Sequence, residues 1–412
     1  MKIKTKPATL AQVLAMPQPK RREPRRTAPL LRFITWAAAI PDLRATKFHL
    51  IRKDALPKQP CLILMNHSCF LDIEIIAHAL FPHPFSFVMT SDGFVGQARL
   101  MYSLGAIPTK KFLTDRELPY QMRHALKNGS YVVMYPEASY SFDGTATPLP
   151  RRLGLLLKLL KVPVVMMTTR GAFLRDPLYN GLRKRKVTVE ATQEILFTPE
   201  EIETLSVPEL DARLDKAFTF DHFAWQRDHQ IAVTEPFRAE GLERIAYKCP
   251  LCGREGELKG EGTSLQCHAC GGQWTLSPYG VLEGNIFNHV PDWYAWERRE
   301  VRRELEAGTY CVDCRVSIRV LRDYRAIYEI GTGRLRHDQN GFQLWDENGN
   351  LLVTQSPNQS YGLYADYYWY ELGDMVCIGD RELLYYCFPE ENVPVAKLRL
   401  ATEELYKMVK RK

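Results

Sequence analysis

The sequence predicts an α/β layer domain followed by a cysteine-rich module and a small β-rich domain. Three observations predict it. From about residue 46 to 235, short uninterrupted apolar runs alternate with helical patterns, as expected of strands buried on both faces with helices between them. Two Cys-x-x-Cys pairs follow, Cys249/Cys252 and Cys267/Cys270, with fourteen residues between them. From about residue 300 to 412 the chain turns to Tyr, Val, Ile and Trp, with turn signals at Glu347–Asn350 and Gly331–Gly333, and it closes on a helical pattern, Ala401 to Lys412. With 412 residues, 45% hydrophobic and 25% charged, the chain has length for two or three cores and is too apolar for wholesale disorder.

Residues 1–45 read as a basic arm with a short amphipathic piece. Lys20–Arg26 holds five basic residues against one acid, within a formal net charge of +7. Such a run is a solvated arm, an electrostatic attachment to anionic lipid, where each cation contributes about 1 kcal/mol, or a nucleic-acid patch. Ala28–Pro41 is apolar but carries Arg32. It falls short of the roughly 18 to 20 residues of a spanning helix and suits an interfacial one. It also begins late and lacks a clear cleavage site for a signal peptide. The expected location is the cytoplasm, docked peripherally on the cytoplasmic face of a membrane.

Residues 46–235 carry the alternation. Cys61–Met65 reads as a strand, Asp72–Leu80 as a helix and Phe85–Met89 as a strand. A helix over Arg116–Gly129 leads into the strand Ser130–Glu137, a helix over Arg151–Val162 into the strand Pro163–Gly171, and Lys184–Phe197 completes the set. The residues that carry chemistry fall just past strand ends, where open α/β sheets place their sites.

The first strand runs into Asn66-His67, with Asp72 five residues beyond. On a continuous helix, positions five apart point about 140° from one another. His67 and Asp72 meet only if the histidine sits in the turn before the helix and the aspartate on its first turn. A carboxylate on Nδ1 then fixes the tautomer, leaves Nε2 outward and stabilises the imidazolium, which is a base and its orienter for activating a hydroxyl. The plainer reading of the same pair is a cap at a strand end. A second strand ends at Pro136-Glu137, where the carboxylate serves either site chemistry or nearby backbone N–H groups.

Four thiolates at Cys249, Cys252, Cys267 and Cys270 suit a tetrahedral Zn²⁺ in a closed, structural zinc ribbon (residues 245–285), with His268 a bystander. Glu255, Glu257 and Glu261 in its loop disfavour nucleic acid as a partner. Cys311/Cys314 lacks a second pair nearby and reads as a turn with two free thiols. In the last region, strands closed by one helix suggest a small barrel or sandwich similar to pleckstrin-homology-like domains.

Four blocks between about residues 28 and 200 resemble the glycerolipid acyltransferases of the 1-acylglycerol-3-phosphate acyltransferase family: Asn66-His67-Ser68-Cys69-Phe70-Leu71-Asp72, Gly105-Ala106-Ile107 with Lys111, Tyr135-Pro136-Glu137-Ala138-Ser139-Tyr140-Ser141, and Val162-Pro163-Val164-Val165. The resemblance implies an acyltransferase-type α/β domain with His67 as general base and Asp72 as its orienter. Asn66, Ser68, Lys110, Lys111, Glu137 and Ser139 become candidate substrate-binding residues. The implied donor is an acyl carrier protein, coenzyme A or acyl phosphate, with no cofactor for the chemistry. Neither Ser68 nor Cys69 need be a nucleophile, and the backbone N–H groups after His67 are candidates for stabilising an oxyanion or a phosphate. The chain departs from the family where an arginine of the third block is Tyr140 and its glycine is Ala138, and where Lys111, with Lys110 beside it, replaces the second-block arginine. Lys110, Lys111, Arg151, Arg152 and Arg170 are the available cations. A lipid-linked or glycosyl hydroxyl therefore stands beside lysophosphatidate as acceptor. A catalytically silent lipid-binding or zinc-ribbon interaction protein is the alternative.

Overall fold

The computed structural model describes residues 2–410. A three-residue strand, Thr5–Pro7 (β1), opens the chain. A seven-stranded sheet follows, made of His49–Arg52 (β2), Leu62–Met65 (β3), Phe85–Thr90 (β4), Ala106–Thr109 (β5), Tyr131–Met134 (β6), Val164–Arg170 (β7) and Glu190–Phe197 (β8). The strand order is β2-β8-β7-β3-β6-β4-β5. The run from β7 to β5 is parallel, and β8 turns antiparallel against β7.

Two-sided burial explains the unbroken apolar runs. Successive side chains of a strand point to opposite faces. Leu62 and Leu64 of β3 accordingly pack with Met122, Leu157 and Leu210 of the helices Leu118–Lys127, Leu153–Leu160 and Val207–Ala217. Ile63 and Met65 pack instead with Ala39, Leu43, Ile75 and Ile76 of the helices Pro29–Ala45 and Leu71–Leu80. Among the described residues no helix is long and apolar enough to cross a membrane.

The four-cysteine module is a four-stranded antiparallel sheet of Leu258–Glu261 (β9), Ser264–Cys267 (β10), Gln273–Leu276 (β11) and Leu282–Gly284 (β12). The helix Val290–Glu306 runs from it into the last sheet. That sheet contains Val312–Leu321 (β13), Ile327–Asp338 (β14), Gly341–Asp346 (β15), Leu351–Gln355 (β16), Tyr364–Asp366 (β17), Met375–Gly379 (β18) and Leu384–Pro389 (β19). Its order is β16-β15-β14-β13-β19-β18-β17, with β1 added parallel to β14. The helix Val395–Lys410 closes the described chain, and the last two residues of the expected helix, Arg411 and Lys412, lie outside the described residues, as does Met1 at the start of the expected arm.

Some expectations change. Gly331–Gly333 is not a turn: both glycines sit inside β14, and a Cβ on Gly333 would lie 2.0 Å from the Trp345 carbonyl oxygen. Cys311 and Cys314 form no turn either, because Cys314 is a buried residue of β13 and Cys311 is exposed just before it. The N-terminal basic run is held in place by its charges. Arg21 pairs with Asp115 at 2.5 Å and Glu117 at 3.2 Å, and Arg22 lies 5.3 Å from the centre of the Tyr102 ring.

The modules share one core. Phe142 and Phe173 of the first domain, Trp274 of the ribbon, Trp293 of the connecting helix and Val316, Val376 and Leu398 of the last region belong to one continuous apolar cluster. The C-terminal region is thereby fixed against the loops at the strand ends of the first sheet.

Candidate active site

The loop after β3 and the loop after β6 lie side by side because those strands are neighbours. His67 follows β3, and Asp72 sits in the first turn of Leu71–Leu80. Nδ1 of His67 is 3.0 Å from Asp72 Oδ2, with the aspartate side chain 1% exposed and the histidine 21%. The same carboxylate oxygen accepts the N–H groups of Ser68 at 2.7 Å and Cys69 at 3.2 Å. Those N–H groups are thus engaged by Asp72 and are not free for an oxyanion or a phosphate, contrary to the sequence expectation for these two.

Glu137 is a bracket. Its Oε2 accepts the N–H of His67 at 2.9 Å, and its Oε1 accepts the N–H of Thr147 at 2.8 Å. Of its two readings, the geometry shows the backbone one. Burial raises its carboxyl to about 7, against those hydrogen bonds. Asn66 is a second bracket: its amide exchanges hydrogen bonds with the main chain of Thr169, 2.7 and 3.1 Å, tying the end of β3 to β7. Ser68 Oγ lies 3.4 Å from Nε2 of His222, which sequence reasoning missed. His222 is buried, and burial lowers it to about 3, so it stays neutral. Nothing within its own segment, Asp221-His222-Phe223, signals a partner 154 residues away.

The imidazole of His67 lies against two rings of the third block. Tyr135 stacks at 4.3 Å between centroids, and Tyr140 lies tilted at 4.4 Å. Ala138 between them takes φ 60°, the left-handed conformation that suits the glycine it replaces. Burial lowers the pKa of His67, the bond to Asp72 raises it, and the charge of Lys111 lowers it. Buried polar atoms without a partner gather here: Asp72 Oδ1, Tyr135 Oη and Ser139 Oγ.

The candidate cations divide. Lys111 Nζ sits 4.0 Å from the centre of the Tyr364 ring, within electrostatic reach of His67. Lys110 Nζ is donated to the Arg381 carbonyl of the last domain. Arg151 and Arg152 are exposed, and Arg170 is 3.9 Å from Glu190.

Residues 47–170 match the family model described as Acyltransferase. The matched segment runs from β2 to the end of β7 and contains His67, Asp72 and Glu137. Among solved structures, the chain is similar to the 1-acyl-sn-glycerophosphate (LPA) acyltransferase PlsC of Thermotoga maritima, at 15% identity and a TM-score of 0.39, over 46% of this chain and 76% of that one. No match appears among curated proteins.

Away from the matched segment, Cys249, Cys252, Cys267 and Cys270 bring four sulfurs within 4.8 Å of one another. Cys249 and Cys270 Sγ are 3.7 Å apart, and Cys252 and Cys267 Sγ are 3.8 Å apart. A tetrahedron with ~2.3 Å metal–sulfur bonds has edges of about 3.8 Å, so the residues fit such an ion. All ten cysteines are free of disulfides. Cys311 and Cys314 take no part in the cluster, and His268 is exposed beside it.

Proposed function

We propose that the protein transfers a fatty acyl group from an activated thioester or acyl phosphate to a hydroxyl of a glycerol phosphate or lysophospholipid. We take 1-acylglycerol-3-phosphate as the acceptor, giving phosphatidate. The observation that carries this reading is the His67 Nδ1 to Asp72 Oδ2 contact of 3.0 Å at a strand end of an acyltransferase domain. With Nδ1 bound, Nε2 is the nitrogen left to accept the proton of the acceptor hydroxyl. The hydroxyl oxygen attacks the acyl carbonyl, the tetrahedral intermediate collapses, and the thiolate or phosphate leaves with the proton returned by the imidazolium. Asp72 and the rings of Tyr135 and Tyr140 favour that imidazolium in the transition state. The ribbon would hold Zn²⁺ through its four thiolates as a structural centre.

Docking on the cytoplasmic face of a membrane belongs to the same proposal. Leu30, Phe33 and Ile34 are 68%, 52% and 49% exposed at i, i+3 and i+4 spacing on Pro29–Ala45, and Phe70, next to the catalytic turn, is 64% exposed. The enclosure of His67 by two tyrosines supports the second reading, a catalytically silent lipid-binding protein.

The test is transfer of labelled acyl groups from carrier-protein, coenzyme A and phosphate donors to a panel of glycerol phosphate and lysolipid acceptors. Product that depends on His67 supports the enzyme. If no donor and acceptor pair gives product, while the folded protein still binds lipid, the silent reading takes its place.

A further inference from the structure

A ring of hydrogen bonds closes around the turn that carries His67. The His67 carbonyl accepts the N–H of Ser141 at 3.0 Å. Ser141 Oγ accepts the N–H of Gly144 at 3.0 Å, and the Gly144 carbonyl accepts the N–H of His222 at 2.9 Å. Nε2 of His222 stands 3.4 Å from Oγ of Ser68, the residue after His67, which returns the path to its start. Apart from His67 itself every member is buried, Ser68 and Ser141 completely.

His222 is itself held from two sides. Its ring stacks on Phe173 at 5.5 Å between centroids, with 16° between the planes. Asp221, the residue before it, caps the helix His222–Asp228 and bridges to Thr145. The Ser68 end matters because of what the main chain does there. The N–H of Ser68 donates to Asp72 Oδ2 at 2.7 Å, and the same oxygen meets Nδ1 of His67 at 3.0 Å. Anchoring the Ser68 side chain therefore fixes the peptide that aims the carboxylate at the imidazole. A serine hydroxyl beside a neutral imidazole is also the pattern of an activated nucleophile. Here the hydroxyl is fully buried and its own N–H is tied to Asp72, so the contact serves position.

We propose that His222 is a positioning residue for acyl transfer. Its side chain holds Ser68 and its main chain holds the limb through Gly144 and Ser141, so that His67 and Asp72 keep their alignment. This rests on the acyl-transfer reading above. It gives a part in the reaction to an element 154 residues beyond Ser68, past the last strand of the first sheet.

The test measures kcat, KM and Tm of the full-length, metal-loaded protein, using the labelled donor and acceptor from the panel above that give most product. His222→Phe keeps a ring against Phe173 and removes the bond to Ser68. It is expected to lower kcat about ten- to a hundredfold, the scale of a misplacement of up to ~1 Å, with KM within about threefold. His222→Gln, whose amide can reach Ser68, should keep kcat within about threefold of wild type. Ser68→Ala removes the other end of the bond with little change in volume, and it carries the test should His222→Phe fail to fold. The double substitution should cost no more than the larger single one, because both break the same contact. His289→Phe, which frees Asp221 from its 2.7 Å contact without touching the ring of bonds, controls for lost stability alone. The proposal falls while acyl transfer stands if Ser68→Ala or a folded His222→Phe keeps kcat within about threefold. It falls equally if His222→Gln loses as much as His222→Phe, or if the double substitution multiplies the single losses. If the wild-type protein gives no product with any donor and acceptor, the reading beneath fails and this proposal with it.

Discussion

Among the described residues stand two histidine–aspartate pairs, and they differ in which ring nitrogen is used. In the first domain Asp72 meets Nδ1 of His67 at 3.0 Å, which leaves the far nitrogen of the ring outside the pair. Between the ribbon and that domain, Asp221 meets Nε2 of His289 at 2.7 Å, which occupies the far nitrogen instead. Asp221 also caps the helix His222–Asp228 by accepting the N–H of Ala224 at 2.8 Å, and His289 precedes the helix Val290–Glu306. The second pair is a clamp between elements. A carboxylate beside an imidazole therefore does not by itself make a base; the two pairs differ in which ring nitrogen the carboxylate leaves open.

Metal removal should give the largest effect, and it acts on the clamp side. Trp274 of the ribbon packs on Trp293 at 4.7 Å, and Trp293 Nε1 donates to the Lys248 carbonyl at 3.0 Å. Without the ion the ribbon should unfold, and His289 should lose its seat, since structural zinc contributes roughly 10–16 kcal/mol in finger peptides. Chelation is expected to lower Tm steeply, with one zinc per chain by metal analysis. An unchanged melt in a metal-free protein would remove zinc from this account.

On the other side, His67→Ala should cost about 10²–10⁴-fold in kcat with Tm little changed. Asp72→Asn should cost about 10²-fold or more, because the amide cannot hold the same tautomer while also accepting from Ser68 and Cys69. His289→Phe should do the reverse, lowering stability by about 1–3 kcal/mol through the unpaired Asp221 and leaving kcat within a few-fold. Equal losses of kcat at the two histidines would erase the distinction.

The side of the molecule that holds His67 was the more legible in the sequence. Period and length placed β3, β4, β6 and β7, because strands buried on both faces must be apolar throughout, as Leu62–Met65 are. The turn geometry of His67 and Asp72 followed from the helical angle alone, and the ribbon followed from spacing. Long-range contacts were not legible. His222 and the pairing of Thr5–Pro7 with β14 depend on elements far apart in sequence, and no local pattern encodes them. The long β14 was hidden because Gly331 and Gly333 look like turn residues, whereas there they relieve a close backbone approach and a register shift between Ile318 and Arg319 of β13.

The finest discrimination between the pairs is the acid limb of the pH–rate profile. Burial lowers His67 below its ordinary value of 6.5, with Asp72 pulling the other way and Lys111 adding to the fall. The base acts when neutral, so a lowered value keeps it available at mildly acidic pH, and kcat/KM should fall only below about 6.5. Asp72→Asn removes the one contribution that raises it, so the limb should move further toward acid even as the plateau drops. Lys111→Gln removes a neighbouring positive charge, so the limb should move the opposite way, toward neutral pH. These shifts are small, on the order of a pH unit or less, but their signs are opposite. A limb that stays put in both variants would mean that the titrating group controlling the rate is not His67.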